Sequence, residues 1–243
     1  MRNSPICWGV FLAVSSLLMP CSVRSEDTSS PSTNQGAPQA VIYRPAKGSA
    51  PAARVTGGSR GSGDTTITLD VLAPDETGLT TQEQPSLFWY QSKSAAARFE
   101  LTLLEENKVK PVLQVNVDRS ANAGIQRLKL SDHGVKLAVG IEYQWVIALV
   151  TDPNNRSSDL VASGFIQRIE PSSELKAKIA KASPLTLPAI YAEAGIWHDA
   201  LETLSDSIDA QPGNKALRQT RADMLAQVGL KAAANSEGAL AKK

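Results

Sequence analysis

Gly140-Ile-Glu-Tyr143-Gln-Trp145-Val-Ile147-Ala-Leu149-Val150 is the longest apolar run beyond the N-terminus, and its reading decides the fold. Tyr143, Trp145, Ile147 and Leu149 alternate with Gln144, Val146, Ala148 and Val150, so a period of two places the large side chains on one face of a strand. The opposite face is only half polar, which predicts cover on both sides. Upstream lies Leu137-x-x-Gly140-x-x-Tyr143. This spacing is that of a tyrosine corner, in which a Tyr at the start of a strand returns its hydroxyl to backbone a few residues earlier. Gly140 permits the tight turn such a corner needs. A plain hairpin strand with a core Tyr is the alternative.

Working outward, six further stretches alternate in the same way. Ile67, Leu69 and Val71 begin the series, followed by Leu87-Phe-Trp-Tyr90 after Pro85. Phe99, Leu101 and Leu103 come next, then Leu113, Val115 and Val117, a weaker run from Ile125 to Leu130, and a closing strand from Leu160 to Glu170. Turn residues separate them at Pro74, Gly78, Asn107, Asn122-Ala-Gly124, Asp132-His-Gly134 and Asp152-Pro-Asn-Asn155. Short alternating strands with no helix between them predict a seven-stranded antiparallel β-sandwich of the immunoglobulin or fibronectin-III kind over residues 54–171. Trp89 and Trp145 are expected to face each other across its core. Each buried aromatic is worth roughly 2–3 kcal/mol.

Beyond Glu170-Pro171 the period changes. Ser172 caps a run of helix formers from Ser173 to Ala182. Pro184 and Pro188 interrupt, and then Gly195, Trp197, Ala200, Leu204, Ser207 and Pro212 fall on the offsets of a tetratricopeptide repeat. A further helix from Leu217 to Val228 ends at Gly229, a glycine C-cap. Residues 172–230 therefore read as a tetratricopeptide-like α-hairpin region, and 231–243 as a flexible tail. So few repeats cannot bury their own core, so the helices must pack on the sandwich or on a partner.

The N-terminus carries a different message. Arg2 precedes a short apolar run from Ile6 to Met19, and Val23-x-Ser25 offers small residues for cleavage. About 14 apolar residues fall short of the ~20 that span a membrane, so residues 1–25 read as a secretory signal and the protein as periplasmic or secreted. A retained N-terminal anchor is the alternative. Both cysteines, Cys7 and Cys21, lie in that segment, which leaves the mature chain to fold without disulfides. Leu18-Met-Pro-Cys21 resembles a lipobox poorly because Pro20 replaces its small residue. Residues 26–53, rich in Ser, Thr, Pro, Gly and Ala, read as a disordered linker in which Val41-Ile-Tyr43 is the one stretch able to dock. The formal charge is +1, and loss of Arg2 and Arg24 with no acids takes it to about −1. That balance disfavours nucleic acid and anionic membrane as partners.

Chemistry-bearing residues are sparse. Gly57-Gly-Ser-Arg60-Gly61 has the glycines of a phosphate loop but leads into a strand, where a phosphate loop leads into a helix. If the strands follow immunoglobulin order, Arg60, Asp152, Arg156 and Asp159 gather at one end of the sandwich. There they either bind a ligand or brace the loops as ion pairs. The cluster lacks the carboxylates and bidentate Glu of a calcium loop. Trp197 is a candidate contact on the repeat helix, and His198 is placed on its outer face beside Asp199. Neighbours i and i+1 on a helix do not face each other, so His198 and Asp199 make no catalytic pair. No catalytic residue, cofactor loop or metal cluster is predicted.

Eight short motifs together resemble a bacterial family known as domain of unknown function 928, from about Tyr43 to Leu230. They are Gly57-Gly-Ser-Arg-Gly61, Gly78-Leu-Thr80, Pro85-x-x-x-Trp89-Tyr90, Tyr143-x-Trp145, Asp152-Pro-x-x-Arg156-Ser-x-Asp159, Gln167-Arg-Ile-Glu170, Gly195-Ile-Trp-x-Asp-Ala200 and Val228-Gly-Leu230. At His198 the resemblance calls for an aromatic such as Tyr. It implies an exported protein of no assigned activity. Taken together, these readings favour a non-enzymatic envelope module that binds a protein or peptide. A carbohydrate- or cell-wall-binding sandwich is the second reading, and an envelope hydrolase the third.

Overall fold

The structure is a computed structural model, and it describes residues 40–45, 54–56, 67–95, 98–117 and 122–242. The expected signal at 1–25, the Gly57–Gly61 turn and Arg60 lie outside those residues. All described residues belong to one unit spanning 37–243.

Among the described residues, eight strands form two facing sheets. β1 (Leu69–Val71), β3 (Ser86–Gln91) and β6 (Gly124–Lys129) make one, in the order β1-β3-β6. β2 (Gly78–Thr80), β4 (Arg98–Glu105), β5 (Leu113–Val117), β7 (Glu142–Val150) and β8 (Leu160–Arg168) make the other, in the order β2-β8-β7-β4-β5. The count is eight, where seven antiparallel strands were expected. The addition is β2, which pairs parallel to β8 with Gly78 opposite Ile166. Three residues opening on a glycine carry no alternation, so Gly78 reads as a turn until a distant strand pairs with it.

The organising strand is β7, at the middle of the larger sheet. Leu101 lies opposite Ile147 on one side, and Ala162 lies opposite it on the other. The inward residues Tyr143, Trp145, Ile147 and Leu149 pack with Leu69, Val71, Leu87 and Trp89 of the facing sheet. Both indole N–H groups in this core, on Trp89 and Trp145, lack an acceptor. Their contribution is apolar burial. The Tyr143 hydroxyl accepts the Ala138 N–H at 3.1 Å, and Gly140 takes φ +78°, as the Gly140–Tyr143 spacing predicts.

The second core explains why β3 is apolar throughout. Leu87 and Trp89 face the sandwich interior, while Phe88 and Tyr90 face outward and are covered by helices. These are α1 (Ser173–Lys181), α2 (Leu187–Glu193), α3 (Trp197–Ala210), α4 (Lys215–Gln227) and α5 (Lys231–Lys242). Within this unit the helices cover the outer face of the small sheet, and α3 also reaches β2 at the edge of the large one. The Ser172 hydroxyl accepts the Leu175 N–H and caps α1, and Asn214 does the same for Leu217 at α4.

One expectation about the ends is corrected. Residues 231–242, read as a frayed tail, form α5 and bury Ala233, Ala234 and Glu237. Alanine is the best helix former but adds little to an apolar stripe, so only the packing partner distinguishes this helix from a tail. Part of the expected linker also packs. Val41 and Tyr43 are buried against the helical layer while Ile42 stays 57% exposed.

Candidate functional site

α3 is buried on nearly every face, from Trp197 through Ile208. It lies between the other helices and the sandwich, and its polar residues explain how it is held. Asp199, Glu202 and Asp206 recur at three- and four-residue spacing, which aligns them on one side of the helix. Asp199 accepts the Thr80 hydroxyl at 2.5 Å and the Thr81 N–H at 3.0 Å, and also the Thr81 hydroxyl. Burial pushes its pKa up, and the threonine hydrogen bonds partly offset that. Glu202 accepts the Ser86 hydroxyl at 2.6 Å and the Ser86 N–H at 3.1 Å. Arg127 on β6 completes the seam. It reaches Glu202 at 2.6 Å and Asp206 at 2.5 Å, donates to Ser86 at 2.8 Å, and stacks over Phe88 with 5.2 Å to the ring centre. Burial alone would lower the Arg127 pKa, but its hydrogen bonds to Asp206 and Glu202 outweigh burial and hold the guanidinium charged.

Trp197 and His198 sit inside this seam, and neither is exposed at all. The Trp197 indole donates to the Leu72 carbonyl at 2.8 Å, across the helix–sheet boundary. His198 was expected on the outer face, and this is corrected: the ring packs on β2, where a β-carbon on Gly78 would stand 2.6 Å from Nε2. Helical periodicity identifies one covered face, but α3 is covered on two. Neither ring nitrogen of His198 has a well-formed hydrogen bond. Burial lowers its pKa to about 4, and the Phe165 backbone offsets this only in part. Both residues are therefore structural parts of the seam and offer no open contact surface.

At the loop end one of the ion pairs of the bracing alternative is present, and Arg60 lies outside the described residues. Arg156 donates to Asp159 at 2.6 Å and reaches both Glu100 oxygens at 3.4 Å. Glu100, on β4, was not singled out in the sequence, because only strand pairing brings it beside the 151–159 loop. Its pKa is lowered: burial opposes the shift, and hydrogen bonds from Arg156 and Gln114 overcome it. Asp152 does not join the cluster and instead accepts the Asn154 N–H at 2.8 Å within its own turn.

A second ionic cluster, unread in the sequence, ties the helices together. Glu237 of α5 receives Arg221 of α4 at 2.7 Å, and Arg221 also donates to the Ser205 hydroxyl of α3 at 3.1 Å. Beside it a cleft of about 270 Å³ opens between β6 and the helices, with Arg127, Arg218, Ile208 and Leu240 among its walls. A shallower groove of about 330 Å³ runs between α4 and α5.

The helical layer also holds an extended segment of its own chain. The Gln227 carboxamide accepts the Tyr43 N–H at 2.9 Å and donates to the Val41 carbonyl at 2.9 Å. The Arg44 N–H donates to the Ala192 carbonyl at 3.0 Å. The Tyr43 ring meets Trp197 edge-on, with 4.9 Å between centres, and its hydroxyl donates to Glu76 at 3.1 Å.

Fold and contacts define a sandwich of two sheets with a helical layer clamped to both, to the smaller at Ser86 and Arg127 and to the larger at Thr80, by ion pairs and hydrogen bonds. The chain belongs to the family described as Domain of Unknown Function (DUF928), whose match covers residues 55–237. No curated protein matches it. Among the described residues, no helix is long and apolar enough to cross a membrane.

Proposed function

We propose that the protein is an exported, non-enzymatic module that binds an extended segment of a protein or peptide partner in the bacterial envelope. One observation carries this reading: the helical layer already holds residues 41–44 by main-chain hydrogen bonds, as a peptide-recognition groove does. The buried ionisable residues Asp199, Glu202, Arg127, Arg221 and Glu237 are engaged in holding the layers together, and this supports a binding role over catalysis. The strand order resembles an immunoglobulin-type sandwich with an added edge strand, and the α2–α3 and α4–α5 pairs resemble tetratricopeptide hairpins.

Two measurements test the proposal. Fractionation of a tagged full-length chain from a bacterial host reads export, and retention in the cytoplasm counts against it. A photo-crosslinking residue at position 193, on the exposed rim beside Ala192, then reads binding at the groove, with position 156 as the comparison at the loop end. A discrete partner, identified by mass spectrometry and bound again when purified, is the expected result from position 193. Crosslinks from neither position overturn the reading.

A further inference from the structure

The Gln227 carboxamide does what one residue of a parallel strand does. In a parallel pair, one residue's N–H and C=O bond to the C=O and N–H of the residues flanking its opposite number. Here the amide N–H₂ takes the Val41 carbonyl and the amide oxygen takes the Tyr43 N–H, so Ile42 is the residue bracketed. Side chains alternate accordingly. Val41 and Tyr43 are buried and Ile42 points to solvent. Recognition of this kind is indifferent to the middle residue and selective at the two that flank it. The first pocket takes an aliphatic side chain. The second takes a tyrosine, because it offers the Trp197 ring for the aromatic body and the Glu76 carboxylate for the hydroxyl.

The groove and its occupant differ in one further respect. Glu76, Ala192, Trp197 and Gln227 all lie within the family match at residues 55–237, and residues 41–44 lie before it. The groove thus lies inside the matched span, and the segment filling it lies just before it.

We infer that this groove is a recognition site for an extended segment of the pattern aliphatic–any–tyrosine on a partner protein, and that residues 41–44 occupy it in cis as an exchangeable stand-in. The inference rests on the peptide-binding reading above and names its site. A segment tethered in the same chain acts at an effective concentration on the order of millimolar. It therefore masks the groove from free peptide at micromolar concentration until it is displaced or cut loose.

The test uses the full chain with residues 46–53 replaced by a specific protease site. After cleavage, a fluorescent peptide spanning residues 39–45 is added in excess and its anisotropy is followed. The peptide is expected to displace the cleaved segment. A Tyr43→Ala peptide, and separately a Gln227→Ala protein of unchanged circular dichroism, should each bind about tenfold more weakly. Unfolding on cleavage, failure of excess peptide to exchange, or equal binding of the Tyr43→Ala peptide overturns the inference, because the segment is then a fixed part of the fold. Co-purification of two differently tagged uncleaved copies assigns the groove to a second copy of the chain and overturns the choice of partner. Exchange without any crosslinked partner in cells overturns the binding role and leaves the groove standing. Crosslinks from position 156 alone, without exchange, do the reverse.

Discussion

Arg127 on β6 holds the Glu202 carboxylate of α3 at 2.6 Å, and both side chains are largely withdrawn from water. The two residues come from different layers, so this pair is a clamp between helix and sandwich. A buried pair is costly to break from one side, since the charge left behind has neither water nor partner. Glu202→Ala should cost about 3–5 kcal/mol in urea unfolding, and Glu202→Ala combined with Arg127→Met should recover part of it. Equal losses in single and double variants would show that the charges do not act as a pair.

The contact of Gly78 with His198 makes a steric prediction. A methyl at Gly78 would stand 2.6 Å from His198 Nε2 and 2.9 Å from Cδ2. Gly78→Ala should destabilise by about 1–3 kcal/mol through overpacking, and a second change, His198→Ala, should relieve part of the clash. A neutral single variant would mean that α3 sits further from β2.

Acid should loosen the same seam. His198 has a folded-state pKa of about 4 against an ordinary 6.5. The unfolded chain therefore binds more protons between those values, and stability falls as pH drops from 6.5 through 4, by on the order of 3 kcal/mol. Asp199, whose pKa is raised chiefly by burial, has the opposite sign: its contribution is present at low pH and is lost as pH rises through its folded value. The His198 term is isolated by difference. Across this window the stability of wild type relative to His198→Leu, read from urea midpoints, should fall as pH falls, and parallel profiles would refute the assignment.

The C-terminal helix is also expected to be indispensable. Ending the chain after Leu230 removes the Glu237 carboxylate that pairs with Arg221 and uncovers the surface on which Ala233 and Ala234 pack. A loss of about 3–5 kcal/mol is expected, with cooperative unfolding at lower temperature in calorimetry. A truncated chain as stable as the full one would restore the flexible-tail reading.

Much of this architecture is legible along the chain. The alternation in β7, the Gly140–Tyr143 spacing, the Ser172 cap and the glycine at 229 are local signals, because each depends on backbone geometry within a few residues. The site was less legible. Asp199, Glu202 and Asp206 carry a helical spacing that marks one face, yet acids on a helix ordinarily face solvent. Their partners Thr80, Ser86 and Arg127 lie on strands more than seventy residues earlier. Arg156 and Asp159 share one loop and were grouped from the expected strand order, whereas Glu100 joins them only through sheet pairing.

By itself the sequence determined the periodicities: alternating strands, then helices, with turns at glycine, proline and asparagine. Those follow from backbone sterics and the burial of every second, third or fourth side chain. Tertiary structure alone decided that β2 pairs with β8, that α3 is buried on two faces, that residues 231–242 are a packed helix, and which surface Val41 and Tyr43 dock on. Each of these depends on a surface supplied from far along the chain, and no local pattern encodes the presence of that surface.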